Sequence, residues 1–270
     1  MNRFLRLFRF GNGIMGILGV VIGAFIAVGF GIGDHVQNLL ISGAVVLVFM
    51  AGGNSLNDYI DRDIDKTAHP DRPLPTGEIA PRTALIIGVS GLAAASLLSL
   101  AMMSFTVTLM VIIAAALMVS YELYLKQRGF VGNVAIAVLT GTIFLFGGAV
   151  VGNVEGNLII AAMAALVSIG REIAKDIQDM GSDEGRRTLP MVIGKKKAAA
   201  AGAVFFVLGP ALSVWPLIDQ TFGWLYCIVF IADAIFIYSA FIIFRKADVS
   251  QKMAKYAMLI ALVAFVLGVI

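Results

Sequence analysis

The sequence predicts an all-α, polytopic integral membrane protein with nine transmembrane helices. Hydrophobic residues make up 60% of the 270-residue chain, and its mean hydropathy is +0.94, far above that of ordinary soluble domains. Apolar runs of about 20 residues, each long enough to cross a bilayer core, recur along the whole chain. Lys and Arg residues are confined to alternate connections between those runs. These three observations together define the fold class.

The apolar runs give the predicted elements in order. They lie at 14–33, 36–57, 83–103, 105–125, 131–151, 157–176, 197–217, 221–244 and 252–270. A soluble helical protein would need a polar face on each helix, and these runs lack one. No connection is long enough to form a separate soluble domain, so residues 1–270 are predicted to be a single membrane-embedded domain.

The basic residues predict the orientation. If the N-terminus and the connections after every second helix share one side, all 20 Lys and Arg residues lie on that side or at its edge. The opposite connections, GIGDHVQ, MMS, GNVEGN and IDQTFG, contain no Lys or Arg. The positive-inside rule assigns the basic side to the cytoplasm. We therefore expect a multi-pass cell-membrane protein with a cytoplasmic N-terminus, whose cytoplasmic connections 54–82 and 171–197 cap an active site.

The second predicted helix ends in an acidic stretch, NSLNDYIDRDIDKTAHPDRPLPTG, which starts at Asn54. Asp58, Asp61 and Asp65 are spaced i, i+3 and i+7, so they share one face of a helix. Asn54 and Asn57 extend that face by one turn. Carboxylates gathered at the end of a membrane helix are costly unless cations neutralise them. The stretch therefore predicts a divalent-metal site.

The sixth predicted helix ends in a second acidic stretch, REIAKDIQDMGSDEGRRTLPMVIGKKK, which starts at Arg171. Its acids again follow one helical face: Glu172, Asp176, Asp179 and Asp183. A shift of 115 positions aligns the first stretch with the second and carries the second helix onto the sixth, which points the same way. This pattern favours a parallel internal repeat.

Two acidic helix ends on one side of a membrane predict bound Mg²⁺. Carboxylate oxygens are ligands that Mg²⁺ prefers, and the ion commonly shares its coordination shell with phosphate oxygens. Nearby basic residues then become candidate phosphate partners: Lys66, Arg72, Lys126 and Lys175. The alternative is that these charges are solvated loop residues that pair with one another. The repetition of the acidic pattern on two helices favours the metal site.

The two stretches together resemble those of the UbiA-type intramembrane prenyltransferases. The NDxxDxxxD motif of that family is matched by Asn57, Asp58, Asp61 and Asp65, and the family's arginine–proline signature by RPLPTG, which starts at Arg72.

The second stretch extends the resemblance. The family's second acidic motif is matched by Asp176 and Asp179, followed by Asp183, while Glu172 stands where some relatives carry an aspartate. The family's Tyr-xxx-Lys element is matched approximately by YELYLK, which starts at Tyr121 and ends at a lysine five residues later. Nine helices and cytoplasmic motifs agree with the family along the whole chain.

The resemblance implies Mg²⁺-dependent transfer of a prenyl group from an allylic diphosphate. Within the family, the second stretch is similar to that of archaeal members that transfer a geranylgeranyl group from geranylgeranyl diphosphate to the hydroxyl of geranylgeranylglyceryl phosphate during ether-lipid biosynthesis. The implied metal ligands are Asp58, Asp61, Asp65, Asp176, Asp179 and Asp183. Catalytic roles are implied for Asp58, Asp61, Asp176, Asp179, Asn54 and Asn57. Substrate-binding roles are implied for Lys66, Arg72, Tyr121, Lys126 and Lys175.

An acceptor that carries a phosphate needs a cation of its own. Arg9, with the nearby Asn12, is the candidate at the start of the first helix. The alternatives are that Arg9 is a positive-inside anchor and that Asn12 caps the helix. Asp233, a carboxylate at mid-depth of the eighth helix, is open between a functional and a structural role.

Two other functions stay open from the sequence. A related prenyltransferase would act on a quinone precursor or another aromatic acceptor. A transporter of a divalent cation or phosphorylated metabolite would bind near the bilayer midplane with access from both sides, whereas the acids here lie at one interface. The expected partners are the two lipid substrates and the bilayer, and no nucleic-acid partner is expected.

Overall fold

A computed structural model of the protein describes residues 2–181 and 187–270. Every regular element in those two ranges is helical, which confirms the all-α prediction. Short 3₁₀ and π turns join several of the helices. The α-helices in chain order are α1 (Arg3–Leu7), α2 (Phe10–Val28), α3 (Val36–Ile60), α4 (Arg62–Ala68), α5 (Pro81–Ser99), α6 (Phe105–Ser120), α7 (Phe130–Val150), α8 (Leu158–Asp179), α9 (Leu189–Ile193), α10 (Lys195–Ser213), α11 (Trp215–Ile218), α12 (Val229–Ile242) and α13 (Ala247–Val269).

Eight helical segments in the described ranges are long and apolar enough to cross a membrane. The first, Phe10–Ile60, contains both α2 and α3, which are joined by a 3₁₀ turn. The two helices run antiparallel, since a Cβ on Gly13 would lie 2.9 Å from Leu47 and one on Gly43 would lie 3.9 Å from Ile17. A multi-pass helical bundle is therefore confirmed, while the count of nine spans stays a prediction.

The long helices form a closed ring. Each of α2, α3, α5, α6, α7, α8, α10, α12 and α13 packs against the next, and α13 returns to α2. Additional contacts between α2 and α7, and between α8 and α13, cross the ring. Two large apolar cores result. One fills the first half of the bundle around Val20, Val45 and Val107, and the other fills the second half around Phe206 and Tyr226.

Glycines permit the closest helix crossings. A Cβ on Gly147 of α7 would collide with the carbonyl oxygen of Val20 in α2 and lie 2.8 Å from the backbone nitrogen of Ala24. A Cβ on Gly141 would lie 2.6 Å from the carbonyl oxygen of Ala161 in α8. Small residues at crossings let membrane helices approach closely without a hydrophobic driving force between them. These contacts hold α7 between α2 and α8.

The segment after α3 folds back over the N-terminus. Leu74 and Ile79 are buried against Leu7 of α1 in a small apolar cluster. The Arg6 guanidinium donates to the Glu78 carboxylate at 2.9 Å and also to the carbonyl oxygen of Asp71. Because α1 ties this segment down, it forms a fixed cover over one end of the bundle.

Candidate active site

Three carboxylates of the first acidic stretch are buried inside the protein. α3 ends at Ile60 and α4 begins at Arg62, with Asp61 at the junction, so the backbone is almost continuously helical through the motif. Asp58, Asp61 and Asp65 are 2%, 6% and 2% exposed. The shared face predicted from their spacing is therefore a buried face, and carboxylates this deeply buried need cationic partners.

Two arginines provide part of that neutralisation. The Arg9 Nη2 donates to Asp58 Oδ1 at 2.5 Å and to Asn57 Oδ1 at 3.0 Å. The Arg72 Nη1 donates to Asp65 Oδ2 at 2.6 Å and lies 3.7 Å from Asp58 Oδ1. Arg9 adopts a left-handed backbone conformation (φ +48°) at the junction of α1 and α2, which is uncommon for a residue with a side chain. This junction directs Arg9 towards the motif.

Lys126 neutralises the remaining carboxylate. Its Nζ lies 2.6 Å from Asp61 Oδ2 and 3.1 Å from Glu122 Oε2. The other Glu122 oxygen, Oε1, accepts from Asn57 Nδ2 at 2.9 Å. Residues Tyr121–Leu125 form a π turn, in which the backbone N–H of Lys126 donates to the carbonyl oxygen of Tyr121 at 2.9 Å. This one-residue expansion accounts for the five-residue spacing from Tyr121, and π turns are frequent at functional sites.

Two other predicted phosphate partners lie outside this cluster. Lys66 is exposed and donates to Asp63 Oδ1 at 2.8 Å. That hydrogen bond lowers the pKa of Asp63. The Lys175 ammonium donates to Glu172 at 3.0 Å, and Arg171 donates to the same carboxylate at 3.0 Å. The phosphate-binding roles of Lys66 and Lys175 stay predictions, and their pairing with nearby acids offers them no support.

A small polar pocket joins the two acidic stretches. Asp176, near the end of α8, accepts from Asn133 Nδ2 of α7 at 3.0 Å. Both residues line the pocket together with Tyr121, Lys126, Glu172 and Thr188. Asp179 ends α8 and is half-buried, and Asp183 lies outside the described residues. The fold thus brings Lys126, which binds the first motif, beside the second.

Two apolar cavities lie next to this polar region. One, of about 240 Å³, lies between α2, α3, α6 and α7. The other, of about 430 Å³, is lined by α2, α8, α12 and α13, among other elements, and includes Asn12 and Asp233 on its wall. The two cavities share Gly16, Met50, Thr140 and Ile143. Asn12 lies inside α2, whose N-cap is Arg9, so the structure does not support the helix-capping alternative for Asn12.

The donor chemistry of the two motifs fits Mg²⁺, because both present carboxylate oxygens. The hydroxyl oxygen of Thr188 is buried without a hydrogen-bond partner in the described residues and lines the pocket beside Asp176. An unsatisfied polar atom there is consistent with a polar ligand. Within residues 2–181 and 187–270, no three His, Cys, Asp or Glu side chains are spaced to hold a metal ion. Arg9, Arg72 and Lys126 are the partners of the first-motif carboxylates in this arrangement.

Residues 17–264 match the UbiA prenyltransferase family. The chain belongs to this family. Among curated UbiA relatives, digeranylgeranylglyceryl phosphate synthase of Natronomonas pharaonis is 35% identical over 98% of this chain and 95% of its own. The synthase of Thermococcus kodakarensis is 36% identical over 95% of this chain and 92% of its own.

Solved UbiA structures agree with the fold. A structure described as digeranylgeranylglyceryl phosphate synthase in membranes superposes with a TM-score of 0.85 and is 34% identical, covering 99% of this chain and 97% of the other. A UbiA homolog from Archaeoglobus fulgidus, bound to GPP and Mg²⁺, has a TM-score of 0.66 at 17% identity, covering 96% and 99% of the two chains. At that identity the second similarity supports the fold alone.

Sequence reasoning missed two residues of this UbiA site. Glu122 is 3% exposed and links Asn57 to Lys126. Asn133 positions Asp176 from the neighbouring helix. Glu122 carried a signal, since an acid at the end of a membrane helix and four residues before a lysine is an expected ion pair. Asn133 carried none, because its partner is 43 residues away in the chain.

Proposed function

We propose that this protein transfers the geranylgeranyl group of geranylgeranyl diphosphate to the hydroxyl of geranylgeranylglyceryl phosphate, as the names of its relatives indicate. The observation that carries the proposal is that two apolar cavities share part of their walls, and that the smaller one shares Ile136 with the polar pocket that Lys126 lines. The proposed reaction joins two lipid substrates and releases a charged diphosphate. It therefore needs apolar space for the lipid chains beside charged side chains for the diphosphate.

The metal ligands of the proposal come from both motifs. Asp58, Asp61 and Asp65 of the first motif and Asp176 and Asp179 of the second would hold Mg²⁺, with Asp183 as a further ligand outside the described residues. Bound Mg²⁺ supplies neutralisation of the diphosphate charge. The A. fulgidus homolog, which shares the fold, was solved with GPP and Mg²⁺, and the proposal extends the use of a divalent ion to this chain.

The basic residues hold the diphosphate. Arg72 binds Asp65 and Lys126 binds Asp61, and the N–H groups of both cations stabilise the leaving diphosphate when it lies between the motifs. Tyr121, whose ring centroid lies 5.8 Å from the Lys126 ammonium, keeps that lysine aligned. The proposal omits Lys66 and Lys175, because their ammonium groups bind Asp63 and Glu172, which are not among the proposed metal ligands.

The remaining residues position and protect the reaction. Asn57 bridges Arg9, Asp61 and Glu122, so it orders the first motif. Asn54 donates to the carbonyl oxygen of Phe8 at 2.8 Å and fixes α3 against the N-terminal segment. The apolar cavities exclude water from an allylic cation that water would otherwise capture.

The membrane arrangement is part of the proposal. With α2 and α3 counted as separate spans, the eight apolar segments give nine transmembrane helices. The basic connections then place the N-terminus and both acidic stretches on the cytoplasmic side. Segments 54–82 and 171–197 would cover the site at that interface.

The aromatic-acceptor and transporter hypotheses give different products. We expect purified protein to form digeranylgeranylglyceryl phosphate from geranylgeranyl diphosphate and geranylgeranylglyceryl phosphate, and to form no prenylated product from an aromatic acid. Mass spectrometry of the lipid extract measures both. Prenylation of the aromatic acid alone would favour the runner-up enzyme, and substrate flux into proteoliposomes without any product would favour a transporter.

The same assay tests the site. Asp58→Ala and Asp176→Ala should each lower turnover by about 100-fold or more. Each removes a proposed ligand of the Mg²⁺ that balances the diphosphate charge in the transition state. Asp63→Ala is the matched control, since Asp63 belongs to the same motif but is exposed and binds Lys66. Near wild-type turnover in Asp58→Ala or Asp176→Ala protein that purifies normally would contradict the two-motif assignment.

A further inference from the structure

The larger cavity has an apolar wall with few polar side chains. Among the described residues that line it, these are Asn12, Thr140, Arg171, Asp233 and Lys255. Two of them are cations on different helices, α8 and α13. An ionisable side chain inside a membrane bundle is costly and commonly marks a ligand site. The cavity therefore combines an apolar chamber with two cationic side chains at its wall, a half-buried Arg171 and an exposed Lys255.

The two cations lie at similar depth. Gln251 of α13 donates to Gln178 of α8 at 3.3 Å, which fixes the register of these antiparallel helices. Lys255 is four residues and Arg171 seven residues further into the bundle from this contact, about 6 Å and 10 Å along the helix axes. Their long side chains span that difference. Asn12 lies near the start of α2, which packs against α13.

Both cations retain unused hydrogen-bonding capacity. The Arg171 guanidinium donates to Glu172 through Nη1 at 3.0 Å, but its Nε is buried and has no hydrogen-bond partner in the part of the chain that the structure describes. Lys255 forms no ion pair with any described residue, and Asp233 instead accepts from Ser213 at 2.7 Å. A buried guanidinium N–H without a partner carries a desolvation cost. An anion held between Arg171 and Lys255 would remove that cost.

We propose that Asn12, Arg171 and Lys255 bind the phosphate of the acceptor lipid, whose apolar chain extends along the larger cavity. This inference rests on the proposed function and adds the residues that recognise its acceptor. Arg171 is five residues from Asp176 on α8, about 7.5 Å along the axis. A glycerol phosphate held at this position therefore lies next to the polar pocket that joins the two motifs.

This assignment differs from the one predicted from sequence. Arg9 was the candidate for the acceptor phosphate, but its guanidinium binds Asp58 and Asn57 at the first motif, and Arg9 does not line the larger cavity. Asn12 keeps its predicted role in binding the acceptor phosphate, now together with Arg171 and Lys255. The diphosphate and the phosphomonoester are thus bound by separate cations, Arg72 and Lys126 for the former and Arg171 and Lys255 for the latter.

Binding without metal tests the inference directly. Radiolabelled geranylgeranylglyceryl phosphate is titrated into the full-length protein in EDTA, with geranylgeranylglycerol and inorganic phosphate as competitors. Lys255→Gln should weaken binding by about tenfold or more, the usual effect of losing one charge-assisted hydrogen bond. Lys252→Gln is the matched control, because Lys252 is exposed like Lys255 and lies one turn away on α13, but does not line the cavity. Geranylgeranylglycerol and inorganic phosphate should compete poorly, since the first lacks the phosphate and the second lacks the apolar chain.

Kinetics separate this inference from the proposed function. Lys255→Gln should raise KM for geranylgeranylglyceryl phosphate by about tenfold or more and leave KM for geranylgeranyl diphosphate within twofold of wild type. Arg171→Gln should act in the same direction. An unchanged acceptor KM and affinity in Lys255→Gln, with active wild-type protein, would overturn the inference alone. Equal rises in both KM values would also overturn it, and absence of the product from wild-type protein would overturn the proposed function as well.

Discussion

At the scale of single residues, burial separates two lysines that both follow acidic motifs. The Lys126 side chain is 10% exposed and lies between Asp61 and Glu122, whose side chains are 9% and 1% exposed. The Lys66 side chain is 66% exposed and pairs with an equally exposed Asp63. Removal of one member of a buried ion pair leaves an uncompensated charge, whereas an exposed charge is solvated by water.

Lys126→Met should therefore destabilise the protein by about 3 to 5 kcal/mol, because it leaves two buried carboxylates without their cation. It should also lower the transfer rate by at least about tenfold, since the diphosphate loses a donor. Lys66→Met should leave both stability and turnover close to wild type. Thermal unfolding in detergent and the product assay measure these effects. Equal effects of the two substitutions would show that burial in this cluster has no energetic consequence.

At the scale of elements, the hydrophobic runs were sufficient to predict the long helices. The run predicted at 131–151 corresponds to α7, Phe130–Val150, because a bilayer-length apolar run can satisfy its backbone only as a helix. The spacing of Asp58, Asp61 and Asp65 also predicted their shared face. The partners of those acids were not predictable in the same way, because Arg9 and Lys126 reach them from other helices. Pairing across helices depends on the order of packing, which a single helix pattern does not contain.

The crossing of α2 and α7 is the most constrained contact between elements. A Cβ at Gly147 would meet backbone atoms of Val20 and Ala24, which cannot rotate away as a side chain can. Gly147→Ala should therefore separate α2 from α7 and destabilise the protein by about 1 to 3 kcal/mol. Gly11→Ala is the matched control, because no atom lies within 4 Å of its added Cβ. A thermal unfolding midpoint unchanged in Gly147→Ala would contradict this packing.

At the scale of the whole molecule, the ring of helices separates charge by end. Lys and Arg residues occupy the end that carries both acidic stretches, and the connections at the other end lack them. The polar cluster and the covering segment Arg62–Ile79 therefore share one aqueous interface. If the positive-inside rule holds for this chain, that interface is cytoplasmic, and the nine-helix count places the C-terminus on the opposite side.

Cysteine labelling tests that arrangement. In protein whose exposed Cys227 is replaced by Ser, Thr221→Cys should react with a membrane-impermeant maleimide added to intact cells. Lys66→Cys should react only after the membrane is opened, because Lys66 lies on the basic side with the acidic motif. Both positions are exposed in the folded protein, so the membrane alone decides their reactivity. Labelling of Lys66→Cys alone in intact cells would show that the orientation is the reverse of the expected one. Labelling of both Lys66→Cys and Thr221→Cys would show that the two connections lie on the outer side and that the helix count is wrong.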